Sequence, residues 1–484
     1  MPINTFNTGT ARPVLDARAG VAAGPTRLWI AVLAAALAVR VALLVATFDM
    51  GPRIVDEQHY YELASNLVRT GSFSMGGAPA TSLRPPLYPM FMAAIWRVAG
   101  AHNVAAVRVA QLALVALTLW LVYRVATQAF DRGTALLAAL ALACYPSLLF
   151  SGVLLLTETL FTALVAAFLY ACVALMLRPS SPAALGAGVT LGAAALTRSV
   201  LWPFPLVLVP FLAFTLRVGG RERLKLCGLV LAGFALVVAP WSIRNSRLQR
   251  TLTIVDTMGG LNLLMGNYEF TPEDRMWDAV SIGGDRGWDA PLRRLPPPPG
   301  GWTEGLKDHW AERRAIAFML AHPLTTARRS LLKLADFWGL EREWIAGVQQ
   351  RLYEPPAWFA IVSGAAVLLV YPATLILAIA GAFLAPPPDR RLHAFLLLIV
   401  VFVCGLHGVT FGHSRYHLPL VPILIMYAAS LVQHRARLAT ATPARALVGP
   451  ALMASLAVLV WSRELLFRDF DHIAALVRVL RHVG

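Results

Sequence analysis

The chain has 484 residues, 58% of them hydrophobic and only 14% charged. That balance excludes an ordinary soluble domain of this length and indicates a polytopic membrane protein. The formal charge of +16 does not imply a nucleic-acid partner, because the arginines are scattered among apolar runs with no basic stripe or interleaved aromatics. Membrane topology accounts for the excess.

The first 27 residues are polar and irregular, and the apolar run after them is too long for a cleaved leader. It reads as a retained first span, Leu28 to Phe48. Next comes the first sizeable polar interruption, Val55 to Pro89. A helix from about Glu57 to Arg69 puts Tyr60, Leu63, Ala64 and Leu67 on one stripe, with Gly71 as its stop. Two roles stand for Asp56: an N-cap accepting first-turn amides, or a carboxylate directed to a site together with Glu57. Arg84 precedes a double proline that keeps the chain extended and stiff near the membrane surface. Its guanidinium suits bidentate phosphate binding; the alternative is an arginine snorkelling to the interface.

About eleven runs are long enough to cross a bilayer, at roughly 20 residues each. Placing the N-terminal arginines on the cytoplasmic side takes Asn103 to Phe130 inward, Thr134 to Phe150 out and Gly152 to Leu177 in. Ala183 to Leu196 then goes out, Val200 to Leu216 returns to the basic loop Arg217 to Lys225, and Leu226 to Trp241 exits. After a long outer region come Ala357 to Leu384 inward, His393 to Val409 outward, Tyr416 to Val432 inward and Leu447 to Trp461 outward. The expected organisation is an all-α chain: a tail (1–27), a membrane module (28–243) carrying an outer loop (50–89), an extracytoplasmic loop (244–356), a second membrane module (357–461) and an amphipathic tail (462–484).

With this topology every basic short loop falls on one side. Asp56, Glu57, Arg84, Glu158, Arg198, Arg244, Asn245, His413 and Arg415 fall at the opposite, outer face. Ionisable groups at membrane depth are costly and mark function by default. Glu158 sits just inside a span, where it needs a partner or water; a buried pair with Arg198 is the plain structural alternative. Arg415, flanked by His413, Tyr416 and His417, is a second cation at a span boundary, and Tyr60 and Tyr88 line the first loop. In the outer region Asn262 and Asn267 lie in a Gly- and Asn-rich stretch that suits either tight turns or sugar contacts. Trp302 to Leu340 recovers a helical period, with Trp310, Ile316, Phe318 and Leu320 among basic residues, as in a helix lying near the membrane surface. Cys144, Cys172, Cys227 and Cys404 all fall inside apolar runs without paired spacing and read as small core residues. No metal-ligand spacing is present, and a divalent cation is left only as an open cofactor.

DEQHYY after the first span, RPPLYP before re-entry, TETLF, APWSIRN, GGLNLLMGNYE and SRYHLPLVP occur in the order found in the GT-C glycosyltransferases. The chain resembles most the bacterial family related to protein O-mannosyltransferases, the lipid A aminoarabinose transferase and RgtA-like sugar transferases. That resemblance implies a multi-pass protein of a bacterial inner membrane moving a sugar from a polyprenyl-phosphate donor to an extracytoplasmic acceptor. It matches Asp56 to the catalytic base or its close partner, Glu158 to the second acid, and Arg84 to the contact with the lipid phosphate. The aminoarabinose branch has an acid immediately before that basic residue, where this chain has Leu83. A leaving lipid phosphate gains negative charge that Arg84 and Arg415 can stabilise, and one carboxylate suffices as base for a single inverting displacement. A transporter or flippase, with its charges near the midplane in repeated halves, and a non-catalytic envelope subunit are the other two classes that this composition allows.

Overall fold

The computed structural model describes residues 26–468 apart from 49, 78, 274, 275 and 442. Most of the expected N-terminal tail and the C-terminal tail from residue 469 onward lie outside the described residues. In the apolar interior of a bilayer every backbone amide and carbonyl must be paired within the chain, which leaves helices as the economical solution for these runs. The first half contains α1 (Thr26–Ala46), α2 (Val55–Thr70), α3 (Leu87–Ala99), α4 (Val104–Ala129), α5 (Arg132–Ala143), α6 (Pro146–Ser151), α7 (Glu158–Leu177), α8 (Ser181–Thr197), α9 (Pro205–Thr215) and α10 (Gly220–Gln249). The region expected to lie outside holds α11 (Gly259–Met265), α12 (Ala290–Arg293), α13 (Glu304–Ala321), α14 (Pro323–Phe337) and α15 (Glu343–Gln349). The chain closes with α16 (Ala357–Leu384), α17 (Arg390–Val409), a 3₁₀ turn at Ser414–Leu420, α18 (Val421–Ala441) and α19 (Val448–Arg463). Among the described residues there is no strand beyond one isolated bridge between Ser74 and Ala80.

Among the described residues seven helical segments are long and apolar enough to cross a membrane, and there are five shorter apolar helices besides. Helix ends carry the expected chemistry. Asn103 and Asp131 accept amide hydrogens from Ala106 and Thr134 at the starts of α4 and α5, and Gly71, at φ 71°, ends α2 in the left-handed region. The basic turns gather at one end: Arg391 donates to the carbonyls of Met176 and Thr215, and His434 approaches Asp131.

Three local features depart from expectation. α10 continues through Arg244 and Asn245 to Gln249, so the residues expected to open the outer loop are helical. The amphipathic segment expected over Trp302 to Leu340 is two helices, because Pro323 lacks an amide hydrogen and starts α14 afresh. Arg108, inside α4, donates to the carbonyls of Thr47 at 2.5 Å, Met50 at 2.6 Å and Val153 at 2.8 Å. It thereby satisfies the open end of α1, a duty that sequence spacing does not reveal.

The main core joins α4, α5, α7, α8, α10 and α16 to α18. α8 and α10 meet through glycines: a Cβ on Gly188 would lie 2.1 Å from the Val230 carbonyl oxygen, and one on Gly233 would lie 2.6 Å from that of Leu185. Small residues are what allow such close backbone approach in a membrane. A second cluster, including Tyr60, Tyr88, Trp96, Leu155 and Leu160, fastens α2 and α3 over the start of α7. Gly188→Val should cost about 3 kcal/mol through overpacking, read as a lowered thermal transition of the purified protein in detergent. An unchanged transition would mean that α8 and α10 are not in this contact.

Candidate functional site

α2 begins two residues after Arg53, and its first turn is set by Glu57. This carboxylate is fully buried and accepts from the amides of Arg53 at 2.8 Å, Ile54 at 3.2 Å and Leu155 at 2.8 Å. Both oxygens are thus spent on backbone, which ties the start of α2 to the loop entering α7. Glu57 does not join the open site, and Asp56 is not the N-cap, since Ile54 occupies that position. Asp56 is left free to point elsewhere.

It points into a line of alternating charges. Arg84 Nη2 donates to Asp56 Oδ1 at 2.7 Å, and Arg415 Nη1 to Asp56 Oδ2 at 3.2 Å. Arg415 also reaches Glu158 Oε1 through Nε, and Arg198 Nη1 lies 3.2 Å from the same oxygen. Five chain segments thus contribute Arg84, Asp56, Arg415, Glu158 and Arg198 in sequence. Side-chain exposure falls from 29% at Asp56 and 19% at Arg84 to 16% at Arg415 and 1% at Glu158. The line is most open at Asp56 and Arg84 and closed at Glu158, while Arg198 beyond it is 16% exposed.

Aromatic faces support the cations. Arg84 lies over Tyr60 at 5.8 Å and Arg198 over Tyr416 at 5.2 Å, contacts that favour a desolvated guanidinium. Tyr416 stacks on His407 at 4.6 Å, and His413 Nδ1 accepts the Arg415 amide at 3.2 Å, which fixes the turn carrying that arginine. Burial pushes the Asp56 carboxyl up, but the nearby Arg84 and Arg415 guanidiniums outweigh it and hold the group below its ordinary value.

Other expected contacts serve the frame. Tyr88 is buried and donates to Gln111 Oε1 at 2.7 Å. Arg244 binds the Thr81 carbonyl at 2.7 Å and packs over Trp241 at 4.5 Å. Asn245 accepts from the Ser82 hydroxyl at 3.0 Å and donates to the Val255 carbonyl at 2.8 Å. Together these hold the strand-like segment that delivers Arg84. Asn267 accepts from Lys333 Nζ at 2.8 Å and donates to the Val409 carbonyl at 3.0 Å, so it joins the outer region to the end of α17. Asn262 is half-buried on α11.

Two groups escaped the sequence reading. His59, three residues after Asp56 and on the same helical face, places Nδ1 3.0 Å from Arg84 Nη2. Since a guanidinium only donates, Nδ1 accepts and the ring proton sits on Nε2. Burial first and the Arg84 charge second lower the His59 pKa below its ordinary value. Asp256, in the loop after α10, accepts the Met258 amide at 3.1 Å. Burial pushes its carboxyl up against the pull of the Ser199 hydroxyl and the Arg84 charge. Spacing alone could have found His59; nothing local marks Asp256.

Among the described residues no three His, Cys, Asp or Glu side chains converge as a metal-ligand set. Asp56 and Glu158 face guanidiniums instead, so the site as built does not fit a divalent cation and no step below passes through one.

Residues 83–243 match the family model for dolichyl-phosphate-mannose-protein mannosyltransferases, in line with the resemblance carried by the motifs. No curated protein matches the chain. Among solved structures it is similar to ArnT from Cupriavidus metallidurans in the apo state, at 17% identity and a TM-score of 0.40 over 85% of this chain and 79% of that one. The same protein bound to undecaprenyl phosphate gives 17% and 0.40 over 86% and 80%. The Archaeoglobus fulgidus oligosaccharyltransferase in the apo form gives 14% and 0.46 over 89% of this chain, which spans 54% of that protein.

Removing a carboxylate that lies buried between two guanidiniums strands their charge. Glu158→Ala is therefore expected to lower stability by about 3 to 5 kcal/mol, measured by unfolding in detergent, whereas a neutral effect would mean that Glu158 is not the buried carboxylate between Arg415 and Arg198.

Proposed function

We propose that the chain is a membrane glycosyltransferase that moves a sugar from a polyprenyl-phosphate donor to an extracytoplasmic acceptor by a single inverting displacement. The observation that carries this reading is the half-open Asp56 carboxylate held between Arg84 and Arg415 at the ends of the spans. The match of residues 83–243 to the mannosyltransferase model supports a polyprenyl-phosphate sugar as donor.

The chemistry follows from the order of charges. The donor is a phosphodiester joining a polyprenol to the anomeric carbon. Breaking its sugar C–O bond leaves a polyprenyl phosphate with one more negative charge. Arg84 and Arg415 are the two guanidiniums that hold Asp56 and the groups placed to take that charge. An acceptor hydroxyl attacks the opposite face of the anomeric carbon and passes its proton to Asp56. The new glycosidic C–O bond forms as the sugar–phosphate C–O bond breaks, the acceptor O–H bond is exchanged for one on the Asp56 carboxyl, and the bonding pair leaves with the phosphate.

A carboxylate clamped by two guanidiniums is a weak base, because its charged form is already stabilised. When the donor phosphate draws Arg84 and Arg415 to itself, Asp56 loses that stabilisation and becomes more basic just when a proton must be taken. Glu158 cannot replace it: it is almost wholly enclosed, and it orients Arg415 and Arg198. We assign Glu57 a positioning role, since its oxygens are held by amides. In this reading the donor phosphate and the acceptor approach the line at its most exposed members, Asp56 and Arg84, beside His59.

Sidedness rests on the basic turns, which gather at the helix ends opposite the charge line. The positive-inside tendency puts those turns in the cytoplasm and the site outside a bacterial inner membrane. A transporter is disfavoured because the charges stand at the first turns of α2 and α7 and at the end of α8, not at mid-span.

Asp56→Asn is expected to reduce transfer from a panel of polyprenyl-phosphate sugars by about 10²- to 10⁴-fold, with the thermal transition of the purified protein preserved. Transfer at the full rate would remove Asp56 from the mechanism. Arg84→Ala should raise the donor KM by roughly tenfold or more, and an unchanged KM would refute its contact with phosphate.

A further inference from the structure

α14 is amphipathic in the reverse sense from a helix on a water-soluble surface. Its inward face carries the buried polar residues Arg329, Lys333 and Asp336. Arg329 donates to the Tyr268 carbonyl at 2.9 Å, and Lys333 to Asn267 Oδ1 and the Val409 carbonyl at 2.8 Å each. Its outward face exposes Leu324 at 86% and Leu331 at 69%, with Leu320 of α13 beside them at 78%. Leucines on an outward stripe over a polar inward stripe imply an apolar surrounding.

The position of the stripe says which one. α14 runs alongside the outer end of α17, which is long and apolar enough to cross a membrane. Leu334 packs where a Cβ on Gly408 would stand, and Trp338 Nε1 donates to Cys404 Sγ at 3.3 Å. As residue numbers rise along α14 they fall along α17, so the two helices run antiparallel. The Tyr371 hydroxyl of α16, another such span, donates to the Trp338 carbonyl at 2.9 Å. At 1.5 Å per residue, Leu324 lies about 21 Å along α14 from that level, and exposed Trp358 about 20 Å along α16. The leucine stripe therefore continues the lipid-facing surface of the spans up to the height of a tryptophan suited to the headgroup layer.

We propose that the outward face of α14 and the adjoining corner of α13 are seated in the outer leaflet, against lipid chains at Leu331 and headgroups at Leu324 and Leu320. Exposed Arg328 lies on the same face between Leu324 and Leu331 and is paired with Glu273 at 2.7 and 2.9 Å, so its charge is neutralised where the stripe meets the interface. Through Arg329 and Lys333 the same helix holds residues 267–271. The seat thus fixes the outer region on the bilayer, at the height where a lipid-borne phosphate is presented. The lipid seat stands whether or not sugar transfer is the chain's activity.

The test is depth-dependent quenching on the full chain in nanodiscs of phosphatidylethanolamine and phosphatidylglycerol. The four native cysteines are replaced, and single cysteines are introduced as Leu320→Cys, Leu324→Cys or Leu331→Cys and labelled with bimane. Leu295→Cys, on the outer loop, is the water-facing control. Doxyl lipids should quench all three labels at least about threefold more than aqueous iodide does, in the order 331, then 324 and 320, while the control shows the reverse. Iodide quenching equal to the control at 320 and 324 would overturn the proposal. So would protection from both quenchers, which would mean that a protein surface covers the stripe.

Discussion

Everything at the charged end of this molecule depends on Arg415 lying between two carboxylates. Neither Asp56 nor Glu158 could stay charged near a bilayer without a cation, and Arg415 serves both, from a turn 257 residues after Glu158 and 359 after Asp56. Arg84 and Arg198 extend the line at its two ends. The result is a row of charges satisfied chiefly by one another, with Asp56 and Arg84 its most exposed members.

The helical frame exists to keep that row in register. Glu57 ties the start of α2 to the loop before α7, so Asp56 and Glu158 face the same guanidinium. Arg244, Asn245 and Gln249, at the end of α10, hold Ser82 and thereby Arg84; Glu304 binds the same segment from α13, with Ser82 N donating at 2.7 Å. His413 fixes the turn of Arg415. Each is a polar group that a search for catalytic residues picks up by type, yet each works on backbone or on another side chain.

Much of this was legible in the sequence, and the reason is physical. Apolar runs must be helical in lipid, so the order of helices follows from hydropathy, and the few ionisable residues at span ends had to find one another. Asp56, Arg84, Glu158, Arg198 and Arg415 were identified on that ground, and all five meet. What was not legible was direction. Glu57 is adjacent to Asp56 in the chain but points into backbone amides, because successive helical residues diverge by about 100°. Asn245 and Asn267 are buried fasteners, a role set by neighbours far away in the chain. Asp256 has no local signature, and the reversed polarity of α14 became visible only once the partners of Arg329 and Lys333 were known.

The central claim is that a lipid phosphate and the Asp56 carboxylate compete for the same two guanidiniums. Cryo-electron microscopy of the full chain in nanodiscs with undecaprenyl phosphate tests it most directly. The account predicts phosphate density within hydrogen-bonding distance of both Arg84 and Arg415, with Asp56 released from at least one of them. Phosphate bound elsewhere, with the line from Arg84 to Arg198 intact, would contradict it.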